Sequence, residues 1–310
     1  MAGKQSEKIK RLFLKALIRA RRISFPGFDG MPLYDVAMFF WKSIVEGSIT
    51  TRASAIAFSF FLALFPALIF LLTLIPYIQI YIPDFQDQLF LLIQDLLPTG
   101  LFDTVDETIK DIITRERGGL LSLGFFMALI FSTNGLASMM SAFDASMHSF
   151  QRRTWLGQRL IAILLLFIVS VLLTICIALI AGGQIAINYL ADNDLLRDNF
   201  TYYLLTFGKW IVIVTVLFFT YSFFYYFAPA KKTKWRFISA GGTLATALSI
   251  ATIAGFGYYI TNFGQYNKLY GSIGTLLAVL LLFYLMSLIL LLGFELNASI
   301  NEAHHQANED

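Results

Sequence analysis

The sequence predicts an all-α membrane protein, a bundle of six transmembrane helices with amphipathic helices at its N-terminus and on its outer face. Three observations predict it. Six apolar runs, roughly 53–81, 119–147, 160–190, 205–228, 237–261 and 271–299, each supply the ~20 residues a helix needs to cross a ~30 Å hydrocarbon core. The chain is 57% hydrophobic and 14% charged, whereas soluble chains sit near 45–50% and ~25%. The alternating segments of ~10 residues that mark a membrane barrel are absent, so the spans should satisfy their backbone groups as helices.

The basic residues fall on alternate sides of these runs. Seventeen of the 23 lie on one side: ten through Arg52, then Arg152, Arg153, Arg159, Lys231, Lys232, Lys234 and Arg236. The other side carries Lys110, Arg115, Arg117, Arg197, Lys209 and Lys268, with acids from Asp84 to Glu116 and from Asp192 to Asp198. Basic loops stay in the cytoplasm. The expected location is therefore the bacterial inner membrane, crossed several times, with both termini cytoplasmic. The organisation read from this pattern is a basic amphipathic extension over 1–50, a six-helix membrane domain over 51–300 and a polar cytoplasmic tail over 301–310. No cleavable signal peptide is expected. The single cysteine, Cys176, lies mid-span and offers neither a disulfide nor a cysteine metal site.

Residues 8–22 read as a helix lying on the membrane. Lys8, Arg11, Lys15, Arg19 and Arg22 recur every three or four residues, opposite Ile9, Leu12, Phe13, Leu17 and Ala20. Such a helix should bind the anionic headgroups of membrane lipids. No nucleic-acid partner is expected, because no aromatic platform or nucleic-acid motif accompanies the charges. Pro26, Gly27, Gly30 and Pro32 break the helix. Residues 34–47 then form a second amphipathic helix, with Val36, Phe39, Phe40, Ile44 and Val45 as its apolar members.

Between the first two runs, residues 82–118 read as two outer-face helices, with Pro98 and Gly100 between them. Seven acids from Asp84 to Asp111 make them too polar to span, so they should lie along the outer interface or cap the bundle, either as a solvated lid or as a gate over a cavity. In the fifth run Gly241, Ala245 and Ser249 are four apart, as are Ala247, Ala251 and Gly255. Small residues at that spacing let helix backbones approach closely.

Several ordered pieces carry a resemblance. The first span opens Arg52-Ala-Ser-Ala-Ile-Ala-Phe-Ser-Phe-Phe-Leu-Ala-Leu-Phe-Pro66. Tyr226-Phe-Ala-Pro229 precedes a basic stretch, Trp235 and Gly241-Gly242. Tyr270-Gly-Ser-Ile-Gly274 and Leu292-Gly-Phe-Glu-Leu-Asn-Ala298 close the membrane part. Over about 35–300 the chain resembles the YihY/BrkB family of bacterial inner-membrane proteins. That resemblance implies six spans. It carries an old ribonuclease label, a link to serum resistance and a suggested movement of lipids or solutes, but no catalytic or ligand-binding residues to transfer. Asp144 stands where the family usually has Asn.

Asp144 and Glu295 are the acids set within spans, and ionisable groups there are costly. Both should sit near the cytoplasmic end, at the level of Arg52. Arg52, Asp144 and Glu295 thus form a candidate intramembrane polar cluster. It would be either a salt bridge fixing the packing or a proton- or cation-linked gate. Asn134, Ser138, Ser141 and His148 form a candidate cavity stripe on the second span, although serines bonded across helices would look the same. Asn267 and Tyr270 mark a candidate outer mouth, or simple interface anchors. No cofactor is expected, and the chain is not expected to be an enzyme. It carries no His/Asp/Glu metal set, nucleophile elbow or phosphate-binding glycine loop. The function expected is that of a transporter or flippase-like protein for a lipid-linked or amphiphilic molecule. The alternative is a non-transporting envelope scaffold or assembly factor.

Overall fold

The computed structural model describes residues 24, 27, 28, 30–78, 117–146, 153–192, 198–230, 237–262 and 265–309. These residues form seven helices and no strand. They are α1 (Leu33–Glu46), α2 (Ile49–Ile78), α3 (Gly118–Ser146), α4 (Trp155–Asp192), α5 (Asp198–Phe227), α6 (Ala240–Asn262) and α7 (Gln265–Glu309). Within α2 to α7 lie six stretches long and apolar enough to cross a membrane: Ile49–Leu71, Gly118–Ser146, Trp155–Ile180, Phe207–Phe227, Ala240–Tyr259 and Leu276–His304. The chain is therefore an all-α membrane protein. The helix expected over 8–22 lies outside the described residues, as does all of the outer-face segment expected over 82–118 except residues 117 and 118, of which Gly118 opens α3.

Two compact units divide the chain. One comprises 1–57 with 136–310, the other 58–135. In the smaller unit, glycines bring the later part of α2 and the earlier part of α3 together. A Cβ on Gly124 would lie 3.2 Å from the Phe70 backbone, and one on Gly135 would lie 2.7 Å from the Phe60 ring. The Phe70 and Phe125 rings meet at 5.5 Å. Thr73 and Thr133 are buried but return their hydroxyls to the preceding turn of their own helices, at 2.8 Å from the carbonyls of Ile69 and Leu129. Without water, that is how a hydroxyl is satisfied inside a span.

In the larger unit α6 packs along α7, α4 along α5, α5 against α6, and α1 against the end of α7. The Gly241, Ala245 and Ser249 row of α6 is buried, whereas Ala247, Ala251 and Gly255 face outward. The small-residue spacing thus serves one helix face only. At the crossing of α6 and α7 the backbones nearly touch. A Cβ on Gly241 would meet the Gly293 carbonyl oxygen at 2.0 Å, and a Cβ on Gly293 would meet the Gly241 oxygen at 2.6 Å. Phe143 stacks flat on Phe294 with ring centroids 3.9 Å apart. Tyr225 leans on both rings and donates to the Leu290 carbonyl at 2.9 Å. Large apolar side chains such as Phe167, Ile177 and Ile211 point outward instead, where lipid is as good a solvent as protein.

α7 continues through residue 309 without a break. Ile300 and Ala303 form a small core with Phe28 and Val36, flanked by Met31, Leu33 and Phe39. Polarity ends the apolar run near 299 but does not end the helix, and Ile300 and Ala303 still bury one face against α1.

Candidate functional site

Arg52 lies in the first turn of α2, and its guanidinium is largely enclosed. Nη2 donates to Glu295 Oε1 at 2.7 Å, and Nη1 donates to the Ala142 carbonyl at 2.8 Å and to the Ser146 hydroxyl. Ser146 in turn donates to Glu295 Oε1 at 2.6 Å. Glu295 is 1% exposed. Two polar atoms of this group, Arg52 Nε and Glu295 Oε2, are buried with no hydrogen-bond partner among the described residues. Taking such a pair out of water costs several kcal/mol per ion, which attraction offsets only when further hydrogen bonds help. Here Ala142 and Ser146 supply them. The Gly47 that precedes α2 is also fitted to this group, since a Cβ there would lie 2.9 Å from Arg52 Nη2.

Asp144 is not part of this cluster. Among the described residues it makes no ion pair with Arg52, and it accepts instead from the Ala230 amide at 2.8 Å. Helical geometry gives the reason. Ala142 and Ser146 are four residues apart and share the face that meets Arg52, while Asp144, two residues from each, lies on the far side of α3. There it meets the chain leaving α5. Pro229 forbids α5 from continuing, which leaves carbonyls without helical partners. Arg153 fills that gap by donating to the carbonyls of Phe227 at 3.2 Å, Ala228 at 2.8 Å and Pro229 at 2.7 Å. A cation at a helix C-terminus is also favoured by the helix dipole. Arg153 and Asp144 therefore grip one turn of chain from its carbonyl side and its amide side.

The rest of the final motif has visible roles. Asn297 accepts from the Gly241 amide at 2.8 Å and donates to the Ser239 hydroxyl at 2.9 Å. Ser239 accepts from the Gly242 amide at 3.2 Å. The N-terminus of α6 is thus capped once by its own chain and once from α7. Gly293 permits the crossing, Phe294 stacks on Phe143, Glu295 holds Arg52 and Asn297 caps α6.

The stripe on α3 is divided. Ser141 is exposed and receives the Gln158 side-chain amide at 3.2 Å, which also reaches the Ala137 carbonyl at 3.1 Å. Asn134 and Ser138 are half-buried. His148 lies outside the described residues. Asn267 and Tyr270 fall in the first turns of α7, and their side chains lie outside the described set. Among the described residues no three His, Cys, Asp or Glu side chains converge in a way that could hold a metal ion.

Sequence reading missed Ser146, Arg153, Gln158 and Asn297 as contributors. Arg153 counted only as one positive charge in a connection. The signal that could have found it is the Pro229 stop, which announces carbonyls in need of a donor.

The model of the family described as Virulence factor BrkB matches residues 40–310. The ribonuclease-like protein YfkH of Bacillus subtilis is 28% identical over 84% of this chain and 93% of its own length. A UPF0761 membrane protein of Idiomarina loihiensis is 26% identical over 70% of this chain and 74% of its own. Another from Aliivibrio salmonicida is 24% identical over 86% and 83%. No solved structure matches the chain.

Proposed function

The chain belongs to the Virulence factor BrkB family of membrane proteins, and from that premise we propose that it is a transporter or flippase-like protein for a lipid-linked or amphiphilic molecule. It works in the bacterial inner membrane with both termini in the cytoplasm, and it is not an enzyme. The observation that carries this reading is the Arg52–Glu295 pair. It is an ion pair within the spans whose Nε and Oε2 have no partner among the described residues. Ionisable groups in spans are costly and commonly mark the path of a solute or ion. Both atoms are closed off in this structure, so a headgroup with both a donor and an acceptor would complement them only once the surrounding helices part. The basic stretch over 8–22 adds an electrostatic hold on anionic lipid. The ribonuclease-like name of the Bacillus relative is not carried over, because the acids Asp144 and Glu295 are each engaged with groups of the protein itself.

Purified protein in liposomes tests the reading. Fluorescent lipids in the inner leaflet should become accessible to an impermeant reductant faster than in protein-free vesicles, or an amphiphile should accumulate under an ion gradient. Glu295→Gln should slow that movement. Wild-type vesicles that match protein-free ones in both assays would overturn it.

A further inference from the structure

We propose that α1 is an interfacial helix whose outer face, Met38, Trp41 and Val45, is seated in lipid at the headgroup boundary. This goes beyond transport and does not depend on it. α1 has three sides. Val36 is fully buried and, with Leu33 and Phe39, docks on Ile300 and Ala303 of α7. Asp35 and Lys42, seven residues apart, share one flank. Met38, Trp41 and Val45 follow at i, i+3 and i+7 on the side away from α7. All three are exposed, Trp41 at 69%. A surface helix with one side against protein normally turns charge outward. Here the outward side is apolar and the charge is confined to a flank.

Depth identifies the occupant. α1 docks on the last turns of the Leu276–His304 span, so it lies where that span leaves the hydrocarbon. Trp155 opens the next-but-one span in the chain after Arg52, is 71% exposed, and stands two residues beyond Arg153, which holds the end of α5. Tyr226, also exposed, lies on that same last turn. Outward Trp and Tyr at span ends are the usual marks of the membrane–water boundary. The Trp41 face therefore stands at the same end of the spans as these boundary residues, and a helix so composed settles ~5–10 Å into the headgroup and acyl boundary. The short joint to α2 fixes its position. Ser48 takes a left-handed φ of 49°, and Gly47 abuts the Arg52 guanidinium.

The full chain, with Trp155, Trp210 and Trp235 each changed to Phe, leaves Trp41 as sole reporter. It is reconstituted in vesicles of phosphatidylcholine and phosphatidylglycerol. The expected result is blue-shifted emission, quenched more by lipids brominated near the headgroup than by lipids brominated at the chain end, and little by aqueous iodide. Should those replacements prevent folding, Trp41→Cys in a Cys176→Ala background, carrying a polarity-sensitive dye, reads the same depth. Strong iodide quenching with none from lipid overturns the proposal in favour of a water-facing helix. Quenching by neither overturns it in favour of a face covered by protein, and cross-linking between Met38→Cys chains would then identify a second copy.

Discussion

At the scale of single residues, the decisive quantity is the cost of leaving a charge without its partner inside the spans. Arg52 and Glu295 meet at 2.7 Å, with Ser146 and the Ala142 carbonyl completing the arginine's bonds. Breaking a buried pair costs roughly 3–5 kcal/mol. Glu295→Gln should lie near the low end, about 3 kcal/mol, because the other two acceptors of Arg52 remain. Adding Arg52→Gln to that chain should recover part of the loss. Unfolding of the four chains in detergent measures the coupling, and simple additivity would show that the two side chains act independently. The sequence supplied the short list of charges from which this pair is drawn. It did not supply the separation of Asp144 from them, which depends on the rotation of α3 about its axis.

At the scale of elements, helix ends carry the polar chemistry. Each of α5 and α6 has a terminus closed by a side chain from elsewhere in the chain, Arg153 for one and Asn297 for the other. Loss of Asn297 would leave the Gly241 amide buried and unpaired. Asn297→Ala should therefore cost about 1–3 kcal/mol, and Asn297→Asp, which keeps the acceptor and places negative charge at a helix N-terminus, clearly less. Thermal unfolding in one detergent ranks the three chains. Equal losses for Ala and Asp would mean that the acceptor at the Gly241 amide contributes little and that the donation to Ser239, which both variants lose, is what is felt. The row Gly241, Ala245 and Ser249 was legible as a packing face by its spacing, but so was Ala247, Ala251 and Gly255, which faces outward. Spacing states that a face is small. It does not state which face meets a neighbour.

At the scale of the whole molecule, the spans follow from run length and the expected orientation from charge. With seventeen of 23 basic residues on one side, the expected topology places 82–118 and 191–204 outside. In a Cys176→Ala background, Asp194→Cys should react with an impermeant thiol reagent added to intact cells, and Thr233→Cys should react only after the membrane is opened. Labelling of Thr233→Cys from outside would invert the orientation, and with it the side on which the Arg52 end of the protein operates.

The sequence by itself determined that this is an all-α membrane chain with six stretches able to span, because hydrophobic length is a local property written residue by residue. It also determined which few ionisable groups stand in those spans. Tertiary structure decided the rest. It turned Asp144 toward Ala230, gave Arg153 the carbonyls beyond α5, and made Asn297 a cap for the Gly241 amide, 56 residues earlier in the chain. It carried α7 past the apolar run, with Ile300 and Ala303 packed against α1. Such choices depend on how helices rotate and cross. That geometry is fixed by contacts such as the meeting of Gly241 with Gly293, between residues that are remote in sequence and have no local signature.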